Sequence, residues 1–206
     1  MAKRAFDLLG AALALLLAAP LMLLMALAIK LDSPGPVFFR QERVGRGGRL
    51  FRVHKFRTMV ADAPAQGLPL TVGDDARITP VGRFLRHRKL DELPQLLDVL
   101  AGEMSLVGPR PEVARYVAHY PADLRDRVLS LRPGITDPVS LAFADESAVL
   151  ARAADPEREY VEVILPRKLR AAAAYAERAT LATDLKVIIR TLWLLAKRST
   201  RREASS

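Results

Sequence analysis

Two neighbouring carboxylates, Asp91 and Glu92, stand in the stretch Leu90-Asp91-Glu92-Leu93-Pro94-Gln95, directly behind the basic run Arg83, Arg86, His87, Arg88 and Lys89. Acids set among cations suit a phosphorylated ligand. Arginine forks donate in pairs to phosphate oxygens. A carboxylate among them can join a diphosphate in holding Mg²⁺, a cation that typically takes one or two carboxylates plus substrate phosphates. An ionised carboxylate can also attack phosphorus and carry the group as an acyl phosphate. Taken alone, an Asp-Glu pair is equally a common way to open a helix.

The elements that must hold this pair can be read from local signals. Thr79-Pro80 forms an N-cap with proline at the first helical position and opens a short helix to about Arg88, with Arg83 and Arg86 on one face. A second helix is expected from near Asp91, with Pro94 in its first turn, to Ala101, stopped by Gly102. That places Asp91 near a helix N-terminus, where an anion is favoured. Adjacent helical residues point about 100° apart, so the two carboxylates should hold different roles. Val107-Gly108-Pro109-Arg110-Pro111 is a rigid turn that fixes Arg110, and Arg132-Pro133-Gly134-Ile135-Thr136 is another.

Upstream, residues 37–44 and 50–56 read as two strands joined through Gly45-Arg46-Gly47-Gly48, a β-hairpin dense in arginine. Its charge suits either a solvated edge or contact with anionic head groups or phosphate. A loop of about fifteen residues, 61–75, precedes Thr79. Helical patterns recur at 113–120, 123–129, 146–153, 160–179 and 184–197. The last carries Leu185, Ile188, Ile189, Leu192, Trp193 and Leu195 on one side, either core or membrane interface. Residues 199–206 read as a disordered tail.

The first thirty residues narrow the setting. Leu8 to Ile29 is an uncharged run of about 33 Å as a helix, enough for a hydrocarbon core. Lys3, Arg4 and Lys30 flank it. A signal peptide, a plain spanning helix and a re-entrant helix all fit this pattern. Pro20 favours the last. It breaks one helical hydrogen bond near the middle, leaving halves of about 18 and 15 Å, and a bend there returns both basic ends to one face.

Composition sets the remaining bounds. A chain of 206 residues can bury a core of its own, and the lack of cysteine excludes disulfides, thiolate metal sites and a cysteine nucleophile. The 32 Lys and Arg against 23 Asp and Glu imply an anionic partner. His54, His87 and His119 lack metal-ligand spacing and read as surface residues. Neither a Walker A loop nor a G-x-G-x-x-G fingerprint is present. Few aromatics and no recognisable motif argue against nucleic acid. Nothing specifies an oligomeric state.

The residues resemble the bacterial sugar transferases, the monotopic phosphoglycosyl transferases. The matching stretches are Lys3–Asp7, Asp32–Gly45, Lys55–Met59, Thr71–Asp75, Arg77–Thr79, Val81–Arg86, Leu90–Gln95, Met104–Glu112 and Arg132–Thr136, with Asp184-Leu185-Lys186 near the end. They stand in family order across residues 3–136, and the ordered series is specific although no single motif is. The resemblance implies an α+β, mainly α protein. Residues 1–31 would form a re-entrant membrane helix bent at Pro20, and 32–198 a catalytic domain on the cytoplasmic face of the bacterial inner membrane. The implied reaction moves a phosphosugar from a UDP-sugar to a polyprenol phosphate such as undecaprenyl phosphate, with release of UMP, at the start of a glycoconjugate pathway. By the same resemblance Asp91 is the nucleophile and lies at Mg²⁺. Glu92 assists it or the acceptor, and Lys55, Arg57, Arg86 and Arg110 line the diphosphate or acceptor site. Two departures stand out: Ala19-Pro20 replaces the frequent Ser-Pro at the bend, and residues 137–144 replace a Gly-Trp-Ala-Gln-Val-Asn-Gly-Arg segment whose arginine has no counterpart here. The competing reading is a non-enzymatic, basic, membrane-anchored module that binds anionic lipid or a partner protein.

Overall fold

A computed structural model describes residues 1–63, 75–139 and 146–203. It is mainly helical with two small sheets, in agreement with the expected class. Most of the loop read at 61–75, the motif residues Thr71 to Asp74, and most of the divergent segment 137–144 lie outside the described residues.

Helix α1 runs from Ala2 to Asp32 as one element with Pro20 inside it. It is long and apolar enough to cross a membrane, and only 17% of its most apolar window is buried. One narrow stripe does face the protein: Asp7, Ala11, Met25 and Ile29 are buried. Ala11 joins a core with Phe51, Val53, Leu96, Val99 and Met104, whereas Met25 and Ile29 join another with Phe56 and Leu85. The flanking leucines, among them Leu9, Leu13, Leu16, Leu17, Leu23 and Leu24, remain exposed.

Both ends of α1 are tied to the same domain. At the start, Asp7 accepts from the Ser105 hydroxyl at 2.9 Å and the Leu106 N–H at 3.1 Å. Lys3 donates to the Val107 carbonyl at 3.1 Å and to Asp184 at 2.5 Å, and Arg4 to the Leu100 carbonyl at 3.3 Å. At the far end, Arg57 donates to the carbonyls of Ile29, Ser33 and Pro34. These bonds fasten the last turn of α1 and the two residues that follow it to the start of the 57–60 segment.

After α1 come the antiparallel strands β1 (Phe38–Val44) and β2 (Leu50–Phe56), in the register Phe38 with Phe56 through Val44 with Leu50. Their connection uses Gly47 and Gly48 at positive φ, which these residues take without steric penalty. Helix α2 (Pro80–His87) starts at Thr79, whose hydroxyl accepts from the Gly82 N–H as expected. The next helix departs from expectation. Leu90–Glu92 forms a separate 3₁₀ turn, and α3 spans only Gln95–Ala101, closed by Gly102 at φ 88°. Asp91 therefore sits in the turn ahead of α3 and not at its N-terminus. Lys89 has φ 58°, left-handed backbone that favours glycine, and this reversal swings the chain out of α2 into the turn.

The two rigid turns are partners. Strand β3 (Ser105–Val107) pairs in parallel with β4 (Gly134–Thr136), and Gly134 donates to the Pro109 carbonyl at 3.0 Å. Between these strands come α4 (Ala114–Val117) and α5 (Ala122–Leu129). Beyond β4, α6 (Glu146–Leu150) and α7 (Pro156–Glu159) lead through a π turn, Tyr160–Ile164, into α8 (Leu165–Arg178). A third core joins them, centred on Tyr116, Leu150, Tyr160, Leu165 and Leu169. The last helix, α9 (Leu181–Glu203), runs past Ser199, where the sequence reading began a disordered tail; residues 204–206 lie outside the described residues. Asp184 anchors α9 to Lys3 and to the Tyr175 hydroxyl, while Leu185, Ile189, Leu192 and Trp193 stay exposed.

Candidate active site

Three chain segments meet at the acidic pair: β2 brings Lys55, the 3₁₀ turn brings Asp91 and Glu92, and the turn after β3 brings Arg110. Glu92 is fully engaged. Its Oε1 accepts from Lys55 Nζ at 3.1 Å and from Arg110 Nη2, and its Oε2 accepts from Arg110 Nη1 at 3.1 Å. This is a bidentate Arg–carboxylate fork closed by a lysine. Burial alone would push the Glu92 carboxyl up, but Arg110 and Lys55 outweigh it and hold it well below the usual carboxylate range. The Glu92 charge in turn raises Arg110, while desolvation lowers Lys55 against the pull of Glu92.

Asp91 is the opposite case. Its Oδ1 is buried, and no donor among the described residues reaches it. Burial and then the neighbouring Glu92 charge push its carboxyl up, opposed by Lys55, Lys89 and Arg86. A buried unpartnered carboxylate oxygen is costly to maintain and is concentrated at functional sites. The two acids thus separate by environment: one saturated by cations, one left open to a ligand.

The other expected site residues divide. Arg86, on α2, lies near enough to act electrostatically on Asp91, and its own surroundings include a further interaction. Arg57 does not join the group: it is 5% exposed, and both terminal nitrogens bond carbonyls at the end of α1. The resemblance implied a substrate contact at Arg57; the structure ties its guanidinium to the chain at the end of α1. Pro20 lies inside α1, which runs as one helix through it. His54, read as a surface residue, is tied through Nδ1 to Asp98 at 2.6 Å, a bond joining β2 to α3.

The sequence reading missed a supporting layer. Glu112 accepts from Arg43 at 2.9 Å, from the Val113 N–H at 2.9 Å and from the Tyr160 hydroxyl at 2.5 Å. Its backbone carbonyl takes the Val44 N–H at 2.8 Å. These bonds fasten the Arg110 turn to the hairpin that carries Lys55, so both cations on Glu92 share one frame. Glu112 directly follows the Gly-Pro-Arg-Pro turn, which is the one signal that pointed to it.

One member of the acidic pair could hold a metal. No cluster of three His, Cys, Asp or Glu side chains suited to a metal ion occurs among the described residues. Asp91 alone offers an unused carboxylate oxygen, because Glu92 is committed to Arg110 and Lys55. That donor set fits Mg²⁺ held by one carboxylate together with substrate phosphates, not a closed protein cage.

The sequence pattern of the bacterial sugar transferase family matches residues 1–198. The chain is 41% identical over 192 residues to the UDP-glucose:undecaprenyl-phosphate glucose-1-phosphate transferase of Caulobacter vibrioides, a match spanning 92% of this chain and 68% of that protein. It is 45% identical over 136 residues to the UDP-N-acetylgalactosamine-undecaprenyl-phosphate N-acetylgalactosaminephosphotransferase of Aeromonas hydrophila, over 65% of this chain and 32% of that one. It is 53% identical over 109 residues to the exopolysaccharide production protein PSS of Rhizobium leguminosarum, over about half of each chain, 52% and 54%.

Proposed function

The chain belongs to the bacterial sugar transferase family, and from that premise we propose that it moves a phosphosugar from a UDP-sugar to undecaprenyl phosphate with release of UMP. Its relatives are named as sugar-phosphate transferases, which favours an enzyme over a passive lipid-binding module. The observation that carries the reading is the contrast between the open Oδ1 of Asp91 and the saturated carboxylate of Glu92.

Asp91 attacks the sugar-bearing phosphorus of the donor. An O–P bond forms to its carboxylate, and the bond from that same phosphorus to the bridging oxygen breaks, so UMP leaves with the bridging oxygen. The acceptor's phosphate oxygen then attacks the same phosphorus and frees Asp91, yielding a polyprenol diphosphosugar. Both steps reuse one site, so a soluble donor and a lipid acceptor need not be bound together. Arg110 and Lys55 offer donors to phosphate oxygens, and Arg86 adds positive potential. Glu92 holds Lys55 and Arg110 in place and keeps both charged. Mg²⁺, bound by Asp91 and the donor phosphates, would offset the charge of the diphosphate.

The tether geometry supports a re-entrant placement of α1, and the basic residues at both of its ends suit a domain on the cytoplasmic face. A helix crossing the bilayer carries its ends to opposite sides, whereas here Lys3, Asp7 and Ile29 all bond one domain. Pro20 removes the hydrogen bond to the carbonyl of Leu16 and gives the helix its bending point.

Incubation of purified protein with labelled UDP-sugar and Mg²⁺ should release UMP and leave label on the protein, both lost in Asp91→Asn. Full turnover by that variant would remove Asp91 as nucleophile. For topology, Ala2→Cys and Ser33→Cys in this cysteine-free chain should both resist an impermeant external thiol reagent. Labelling of only one of them would refute the re-entrant placement.

A further inference from the structure

Arg110 belongs to a second neighbourhood besides the acidic pair. It lines a cleft together with Glu112, Tyr120, Asp137 and Lys168, over an aliphatic floor that includes Leu165 and Leu169. The polar groups here are held in different ways. Glu112 is immobilised by Arg43, the Val113 N–H and Tyr160. Asp137 is 2% exposed and accepts from the Val139 N–H at 2.7 Å. Lys168 bonds Glu146 at 2.8 Å and lies 3.5 Å from the Tyr160 hydroxyl, which leaves a donor of its three for another partner. Tyr120 is the unexplained group: no hydrogen bond among the described residues reaches its hydroxyl, and burial pushes its phenol up, so it stays a protonated donor.

A cleft lined by both donors and acceptors together with aliphatic side chains suits a ring with hydroxyls at its edge and C–H groups on its face. A second phosphate would meet two carboxylates there, Glu112 and Asp137. The ring of a phosphosugar is joined directly to the phosphate that Asp91 attacks. Arg110 reaches both the acidic pair and the cleft, so a phosphate held on it leaves the attached ring next to the cleft mouth. We propose that this cleft receives the sugar ring of the donor, with Tyr120 and Lys168 as residues that select among sugars. The proposal rests on the phosphosugar-transfer reading above and deepens it.

The test uses the full chain in detergent with a panel of UDP-sugars, read as UMP release, and with UDP as a competitive inhibitor that lacks the sugar. Tyr120→Phe removes one oxygen that has no partner and so leaves the fold intact. Its kcat/KM for the preferred donor should fall about two- to tenfold, the worth of one hydrogen bond to a neutral hydroxyl. Lys168→Met should lower it by roughly tenfold or more, since its hydrogen bond carries a charge. Both variants should change the ranking of donors while inhibition by UDP stays as in the wild type. Weakened UDP inhibition in parallel with the lost activity would mean that the cleft holds the nucleotide, and would overturn the assignment. So would an unchanged donor ranking in both variants. Wild-type protein that binds UDP yet releases no UMP from any donor would remove the transfer reading and the sugar subsite with it, an outcome distinct from failure of the subsite alone.

Discussion

Asp91 and Glu92 are neighbours and both carboxylates, yet their replacement should move stability in opposite directions. Burial and the Glu92 charge raise the folded-state pKa of Asp91 above its unfolded value of 3.8. A group shifted that way holds its proton more tightly in the folded chain, so the fold loses stability as pH rises past the unfolded value toward the folded one. Glu92 is shifted the other way, well below 4.5, by Arg110 and Lys55 acting against its burial. It stabilises the fold at neutral pH, and that contribution fades only as pH falls through its depressed folded value. At pH 7, Asp91→Asn removes a buried carboxylate with an unpartnered oxygen, a gain of about 1–3 kcal/mol. Glu92→Gln takes from Lys55 and Arg110 the carboxylate that both of them bond, a loss of about 3–5 kcal/mol. For a chain of this size 1 kcal/mol moves the midpoint by roughly 2–4 °C. Thermal unfolding followed by circular dichroism, in detergent and metal-free buffer, should show Asp91→Asn melting a few degrees above wild type and Glu92→Gln about ten degrees below. Near pH 4 the gain in Asp91→Asn should shrink, because the folded carboxyl, with its raised pKa, takes up its proton as pH falls and loses its buried charge. The deficit in Glu92→Gln should persist there. If Asp91→Asn melted below wild type at pH 7, Asp91 would have a stabilising partner and the argument for an open oxygen would fail.

Other perturbations probe the frame. Arg57→Met strips donors from three carbonyls at the end of α1, and by the usual worth of bonds to a charged group should cost about 3 kcal/mol. Limited proteolysis should then open the 33–36 junction, which stays closed if Arg57 serves substrate instead. Gly134→Ala would place a Cβ 2.1 Å from the Gly108 nitrogen, so β3 and β4 must part and carry Arg110 off Glu92. UMP release should fall at least tenfold with helical circular dichroism retained, and wild-type activity would show that the parallel pair does not position Arg110. Lys3→Met leaves the Asp184 carboxylate, which has no exposed surface, with the Tyr175 hydroxyl as its one remaining side-chain partner among the described residues, so hydrogen exchange should accelerate in α9 before α8.

Much of the fold is written in short-range patterns. The hairpin, the Thr79-Pro80 start of α2, the Gly102 stop of α3 and the apolar run of α1 each depend on residues a few positions apart, and each appears where the pattern put it. The position of the acidic pair was equally plain, from charge contrast and an ordered series of family motifs. What these windows misjudged was local as well: the short turn at Leu90–Glu92, where the left-handed Lys89 interrupts a helix that residue preferences alone would extend.

The division of labour within the site belongs to tertiary structure. Lys55 and Arg110 stand 37 and 18 residues from Glu92, and only the pairing of β3 with β4 and the Glu112 clamp on the hairpin bring both to one carboxylate. Arg57 sits two residues beyond Lys55 in the same basic motif, yet the end of α1 claims it. Lys3 and Arg4, legible in sequence as membrane-flanking charges, turn out to be bonded to β3, α3 and α9. From sequence alone come an acidic pair set among cations and a long apolar run, because charge and hydropathy are properties of the residues themselves. Which carboxylate is neutralised and which is left open depends on cations delivered from distant strands, and only the folded chain sets those distances.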